Sequence, residues 1–369
     1  MYYVYMLRCR DGSLYTGTAA DLCRRMRQHA GGGSACARYT RAHPPRELAG
    51  VWRTERQGDA LRLEYAVKQL TRREKLALLQ RPDTAAELVS GGAVFEPVTG
   101  VTLDMCLEGT FHMDKLYAAP MEGLTGYLWR QVHAELFGPA DKYFTPFLSP
   151  NATCTFQRKE LDEIDPEHNR GLNVVPQLLT NRAEHFLWAA RELHDRGFRE
   201  VNFNLGCPAG TVAAKRKGAG LLAYPQELDR CLEEIFAGLP RGMTVSVKTR
   251  IGKNDPGEWP GLLEIYRRYP LAELIVHPRL QKEFYKGTPH REAFSTVSGP
   301  WPVVYNGDIW TAEDAAALSR DFPGTDAVML GRGLMRDPSL LRQLRGGPAA
   351  SVREVRTYHD RLLDAYRQR

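Results

Sequence analysis

Residues 202–210 read NFNLGCPAG, a cysteine held between glycine and proline directly after a short run of β-forming residues. Gly206 and Pro208 exclude regular helix or ladder around Cys207, so its thiol falls on a stiff turn built for access. Other polar residues recur just after similar runs: Glu122, Gln177, Asn204, Lys248 with Arg250, His277 with Arg279, Asn306 with Asp308, and Arg332. Their types suit a flavin. Lys248 supplies a fixed cation for the negative charge of a reduced ring, and Gln177 offers paired donor and acceptor groups to the ring edge. The turns NGD (306–308) and GRG (331–333) add backbone donors and an arginine of the kind that holds a phosphate. No His, Asp or Glu set in this part has the spacing of a metal site.

These residues need elements that bring them together. From Lys115 onward, eight β-forming runs alternate with helical patterns: KLYAA (115–119), KYFTPF (142–147), LNVVPQLL (172–179), EVNFNLG (200–206), TVSVK (244–248), LIVH (274–277), PVVYNG (302–307) and AVMLG (327–331). Helices are expected over 183–197, 225–239 and 311–322, the first and last capped by Asn181 and Thr311. Eight β-α units in this length predict a (β/α)8 TIM barrel, whose C-terminal strand ends meet at one mouth. The rival, an open doubly wound sheet, wants GxGxxG after its first strand, where APMEGLTG stands instead.

A composition of 43% hydrophobic and 25% charged residues is that of a soluble globular chain, and no apolar stretch reaches membrane-spanning or signal-peptide length. The cytoplasm is the expected compartment, with no membrane partner. Seven cysteines without a CxxC pair predict free thiols. The charge is uneven: residues 1–82 carry 16 Lys/Arg against 7 Asp/Glu, a net +9, whereas the remainder has 34 against 37. Such a basic segment points to nucleic acid or to a merely soluble basic domain.

APMEGLTG, NVVPQLL, VNFNLGCPAGTVAAKRKGAGLL, VSVKTRIG, ELIVHPR, VVYNGDI and DAVMLGRG, in that order over about residues 113–345, resemble the motifs of the tRNA-dihydrouridine synthases. The resemblance implies an α/β barrel that binds FMN, takes hydride from NADPH and reduces the C5=C6 bond of uridines in tRNA. It implies that Pro120, Met121 and Glu122 line the flavin, that Gln177, Lys248 and His277 hold its ring and ribityl side, and that Asn306, Gly307, Asp308, Gly331 and Arg332 take the phosphate end. Cys207 becomes the general acid at C5, a role suited to a thiol whose ordinary pKa lies near ~8.5. Asn204 grips the uracil, and Arg250, Arg279, Lys282 and Lys215–Lys217 contact RNA phosphates. Two other readings stay open: an FMN barrel acting on a free pyrimidine, and a noncatalytic RNA-binding pseudoenzyme. Family members carry a helical domain after the barrel, for which residues 346–369 supply about one helix, SVREVRTYHDRLLDAYR.

Residues 1–82 resemble small proteins of the GIY-YIG nuclease superfamily, with YVY (3–5) and YTG (15–17) for the two signature halves. The resemblance implies Tyr5, Tyr15 and Arg25 at a phosphodiester, with His29 nearby and Glu64 binding Mg2+. Nuclease, nucleic-acid-binding module and structural appendage are all consistent with these residues. Residues 83–112 have no sustained period and are expected to be a linker. Met113 precedes the first barrel strand, so the union is either a read-through of two neighbouring genes or a basic module replacing lost RNA grip.

Overall fold

Alternate residues of the first strand serve two different cores. Strand β1 (Tyr2–Cys9) pairs antiparallel with β2 (Leu14–Ala19) and β3 (Pro45–Thr54), and β4 (Glu96–Pro97) edges β3. Val4 and Met6 enter a core with Trp52, Leu63 and Val67, and Tyr5 and Leu7 enter another with Met26 and Val51, as the period of two demands. Helices α1 (Leu22–Gly31), α2 (Arg38–Ala42), α3 (Gln57–Gln69) and α4 (Arg72–Gln80) complete this part. A capping box between Thr71 and Glu74 starts α4.

The computed structural model describes residues 2–31, 36–90, 92–98, 101–108, 115–322 and 324–368. The chain divides into two units, Met1–Phe111 with Ala316–Gly324, and His112–Ala315 with Thr325–Arg369. Two expectations are corrected here. The segment 83–112 does not behave as a linker over its described residues: Ala85 and Phe95 join the first core, and helix α5 (Leu103–Glu108) puts Leu103 and Cys106 into the second. Its apolar residues keep no sustained period, yet Ala85, Phe95, Leu103 and Cys106 each reach a core. Cys23 and Cys106 form a disulfide, so the expectation of free thiols fails for this pair, which the packing of α5 rather than any local spacing brings together. Met113 lies outside the described residues.

The second unit is a parallel barrel. Its strands are β5 (Leu116–Ala118), β6 (Lys142–Phe144), β7 (Val174–Val175), β8 (Gln177–Leu178), β9 (Glu200–Leu205), β10 (Thr244–Gly252), β11 (Leu274–Leu280), β12 (Val303–Tyr305) and β13 (Ala327–Leu330). The order β7-β6-β5-β13-β12-β11-β10-β9-β8 closes because β7 and β8 are one barrel position, interrupted at Pro176, which has no N–H for a ladder. Pro176 still accepts from Asn202 N at 2.8 Å. Eight positions therefore stand where eight were expected, and the open-sheet rival is excluded. Tyr117, Phe144, Val175, Ile275, Val304 and Met329 fill the interior.

Helix Ala183–Asp195 begins after Arg182 without a side-chain cap; Asn181, the expected cap, donates to Lys215 O instead. Thr311 does cap Ala312–Asp321, accepting from Asp314 N. The last helix, Val352–Arg367, opens with a capping box of Ser351 and Glu354 and sets Tyr358 against Phe137. Among the described residues no helix is long and apolar enough to cross a membrane.

Candidate active site

The C-terminal strand ends surround a cavity of about 510 Å³, a size suited to a cofactor or nucleotide. Pro120, Met121 and Glu122 follow β5 on its wall, Gln177 comes from β8, and Asn204 and Cys207 come from β9 and its turn. Lys248 and Arg250 from β10 and His277 from β11 continue it. Asn306, Gly307 and Asp308 after β12, with Gly331 and Arg332 after β13, complete the ring. Arg279 is absent from the wall.

The Cys207 turn is held from two sides. Asn204 Oδ1 accepts from Gly206 N at 3.0 Å and from Cys207 N at 2.9 Å, so the strand's last polar side chain bends the chain that follows it. Arg250 Nε donates to Gly206 O and its Nη1 to Leu280 O, both at 2.9 Å. Burial pushes the Cys207 thiol up, against the Ala209 N–H and the charges of Arg250 and Lys248. At neutral pH the sulfur therefore carries its proton.

Lys248 makes no hydrogen bond or ion pair among the described residues, and burial, with Arg250 beside it, lowers its pKa to about 7. A cation without a counter-charge in a cavity wall favours an electron-rich or anionic occupant. His277 accepts from Arg279 Nη1 at 3.1 Å. A guanidinium has only donors, so the His277 Nε2 is unprotonated and the ring presents Nδ1–H. Burial and four surrounding cations keep the imidazole neutral, well below its ordinary pKa.

Two expectations about arginines are corrected. Arg279 is fully buried; it donates to Asp308 Oδ1 at 3.0 Å and Oδ2 at 2.7 Å, and to the carbonyls of Lys286 and Gly287. Arg250, 1% exposed, is committed to the Cys207 turn. Neither is a surface contact for RNA phosphate. The Asp308 carboxylate is an acceptor shared between Arg279 and Arg332, at 2.5 Å from the latter. Asn306 spends its amide on Met329 O. Lys282, Lys215 and Arg216 are exposed, and Arg216 pairs with Glu227.

Two wall residues escape sequence reasoning. Tyr285, half exposed, lies 6.1 Å from His277 ring to ring, with Arg250 and Arg332 at 5.4 and 5.0 Å from its ring. Trp310 has Arg332 at 5.1 Å. The only signal was aromatic residues inside loops, in EFYKG and DIW.

In the N-terminal unit Tyr5 and Tyr15 lie 6.4 Å apart, and Arg25 reaches both hydroxyls. A β-carbon on Gly17 would meet Tyr5 Oη at 2.5 Å, so the YTG glycine makes room for that phenol. Tyr5 Oη and His29 Nε2 are 2.7 Å apart, and His29 Nδ1 lies 2.6 Å from Thr40 Oγ1. Burial, then Arg25, lowers His29 to about 4. Glu64 receives Thr18 Oγ1 at 3.3 Å and Lys68 Nζ at 2.7 Å. Among the described residues no group of three or more acidic, His or Cys side chains gathers around it for a metal.

A family model described as dihydrouridine synthase matches residues 117–365, and one described as GIY-YIG catalytic domain matches residues 1–77. The probable tRNA-dihydrouridine synthase of Staphylococcus epidermidis is 32% identical over 232 residues, spanning 60% of this chain and 68% of that protein. The probable tRNA-dihydrouridine synthase 2 of Bacillus subtilis is 29% identical, spanning 60% and 69%. Among solved structures, morphinone reductase aligns with 64% of this chain and 87% of its own at 14% identity and a TM-score of 0.44.

Proposed function

The chain belongs to the dihydrouridine synthase family of flavin-dependent oxidoreductases, and on that premise we propose that it reduces uridine to 5,6-dihydrouridine in tRNA, with FMN as cofactor, NADPH as reductant and the cytoplasm as its place of action. One observation carries the reading: Cys207, Lys248 and Arg332 share a single cavity wall. The donor set fits FMN. An unpaired Lys248, a neutral His277 with Nδ1–H to offer and the guanidinium of Arg332 suit an electron-rich ring bearing a phosphate, and small residues at 307 and 331 admit close approach.

FMN, when bound, supplies hydride to C6 of the uracil. The C5=C6 π pair then needs one proton at C5. Cys207 holds that proton on sulfur, on a turn fixed by Asn204 and Arg250, and regains it from solvent after turnover. Arg250 beside it stabilises the transient thiolate, being one of the charges that already pull the thiol's pKa down. Pro146, Phe147 and Leu124 give the mouth an apolar rim that limits water.

The test uses purified protein with NADPH and unmodified tRNA. Flavin bound and reduced, with dihydrouridine formed, is expected, and Cys207→Ala should keep flavin and its reduction while losing dihydrouridine formation. Flavin reoxidised by a free unsaturated pyrimidine such as orotate and not by tRNA would replace the reading with a free-pyrimidine enzyme; absent flavin absorbance would leave an RNA-binding pseudoenzyme.

For the N-terminal unit the reading is a nucleic-acid module, supported by its net charge and by the Tyr5, Tyr15, Arg25 cluster. Cleavage would require Glu64 to release Lys68 before holding Mg2+. A plasmid and RNA cleavage assay with Glu64→Ala as control separates nuclease from binder.

A further inference from the structure

Behind the cavity wall runs a line of buried side chains that includes two residues outside the site described above. Asn204 Nδ2 donates to Gln177 Oε1 at 2.7 Å, Gln177 Nε2 to Asn202 Oδ1 at 2.7 Å, and Asn202 Nδ2 to Ser246 Oγ at 2.9 Å. Asn202 and Ser246 are fully buried and do not line the cavity.

The direction of donation is forced from one end. Backbone N–H groups cannot accept, so the Asn204 atom facing Gly206 and Cys207 must be oxygen. Its nitrogen then faces Gln177, whose facing atom must be oxygen, and the same alternation passes through Asn202 to Ser246. Each amide has one orientation consistent with its neighbours. The two backbone donors occupy the Asn204 oxygen, so what remains for the cavity is an N–H. An amide reversed anywhere along the line would set donor against donor in a dry interior, which costs more than the loss of one bond.

We infer that Asn202 and Ser246 are positioning residues, which lock the amide orientations of Gln177 and Asn204 and through them the turn that carries Cys207. Asn202 acts as the relay, because it accepts from Gln177 with one end while its other end is anchored on Ser246 in β10.

Three variants of the full-length protein test this: Asn202→Leu, which cannot accept from Gln177; Asn202→Asp, which still can; and Ser246→Ala, which removes the anchor alone. Alkylation of Cys207 by iodoacetamide is followed by peptide mass spectrometry across pH in protein without flavin, so the readout does not depend on turnover. In Asn202→Leu the loosened turn should expose the sulfur and speed alkylation about threefold or more at neutral pH. Ser246→Ala should move the same way by about twofold, and Asn202→Asp should stay near the native profile. With FMN, NADPH and tRNA, Asn202→Leu should lower turnover about tenfold, the worth of one well-made buried hydrogen bond. The turnover readout rests on the proposed reaction; the alkylation readout does not. A folded Asn202→Leu with native alkylation overturns the inference, as does Asn202→Asp impaired equally with it. Should Asn202→Leu not fold, an unchanged alkylation profile in Ser246→Ala overturns it.

Discussion

Gly218 lies against Cys207 so closely that a β-carbon at 218 would stand 2.9 Å from both the Cys207 Cβ and its carbonyl oxygen. Gly218 also has φ +55°, and the next residue, Ala219, donates its N–H to Cys207 O at 3.1 Å. The KGAG segment is thus the floor beneath the thiol, and only glycine fits it.

Gly218→Ala should therefore displace the sulfur while sparing the flavin residues. Stability should fall by roughly 1–3 kcal/mol from the strained backbone. Turnover should fall by about tenfold or more, since a shift of the order of 1 Å disturbs proton delivery. Single-turnover dihydrouridine formation, beside flavin absorbance as a control, checks it; a native rate would show that the thiol's height is immaterial.

Lys248 gives a pH dependence with a definite sign. Its free-protein pKa of about 7 lies below the ordinary lysine value because of burial and then Arg250. In the absence of ligand, folding stability should rise as pH increases above about 7 toward the ordinary lysine value near 10.4, because the unfolded chain binds the extra proton. An anionic ligand favours the ammonium, so binding takes up a proton. Affinity for FMN should accordingly weaken above about pH 7, by up to about tenfold per unit, and Lys248→Met should flatten that slope. Titration of FMN fluorescence at several pH values measures it, and a slope of opposite sign would refute the assignment.

Asp308 holds Arg279, which has no exposed surface. Asp308→Asn leaves that guanidinium buried without its counter-charge and should cost about 3–5 kcal/mol in urea unfolding. Burial raises the Asp308 carboxyl, but Arg279 and Arg332 outweigh it and hold the group below its ordinary range. The pair's contribution is thus present above about pH 4 and lost as pH falls through the lower native value. Asp308→Asn should remove that part of the acid sensitivity.

The Cys23–Cys106 disulfide spans 83 residues of sequence. Closing a loop of that length should stabilise the N-terminal unit by about 4 kcal/mol. Calorimetry with and without reductant should show its transition falling, and Cys23→Ser should melt at the lower temperature under both conditions. A transition indifferent to reductant in the native protein would mean that the bond does not form.

The amino-acid sequence by itself determined the repeating β-α rhythm, the polar residue at each strand end, the stiff turn around Cys207 and the basic character of the first 82 residues. All of these are local: they depend on side-chain period, on glycine and proline, and on charge counted along the chain. Strand ends also carry their own address, because a barrel sends every C-terminal end to one mouth. Only the tertiary structure decided what the arginines do. Arg250 and Arg279 read as free cations until the chain brings Gly206, Leu280 and Asp308 within reach and buries both. The same holds for Cys106 meeting Cys23, for Phe95 finding the core of the first unit, and for Tyr285 entering the cavity wall. Each depends on a partner far away in sequence, and neither period nor composition encodes such a distance; closing the fold does.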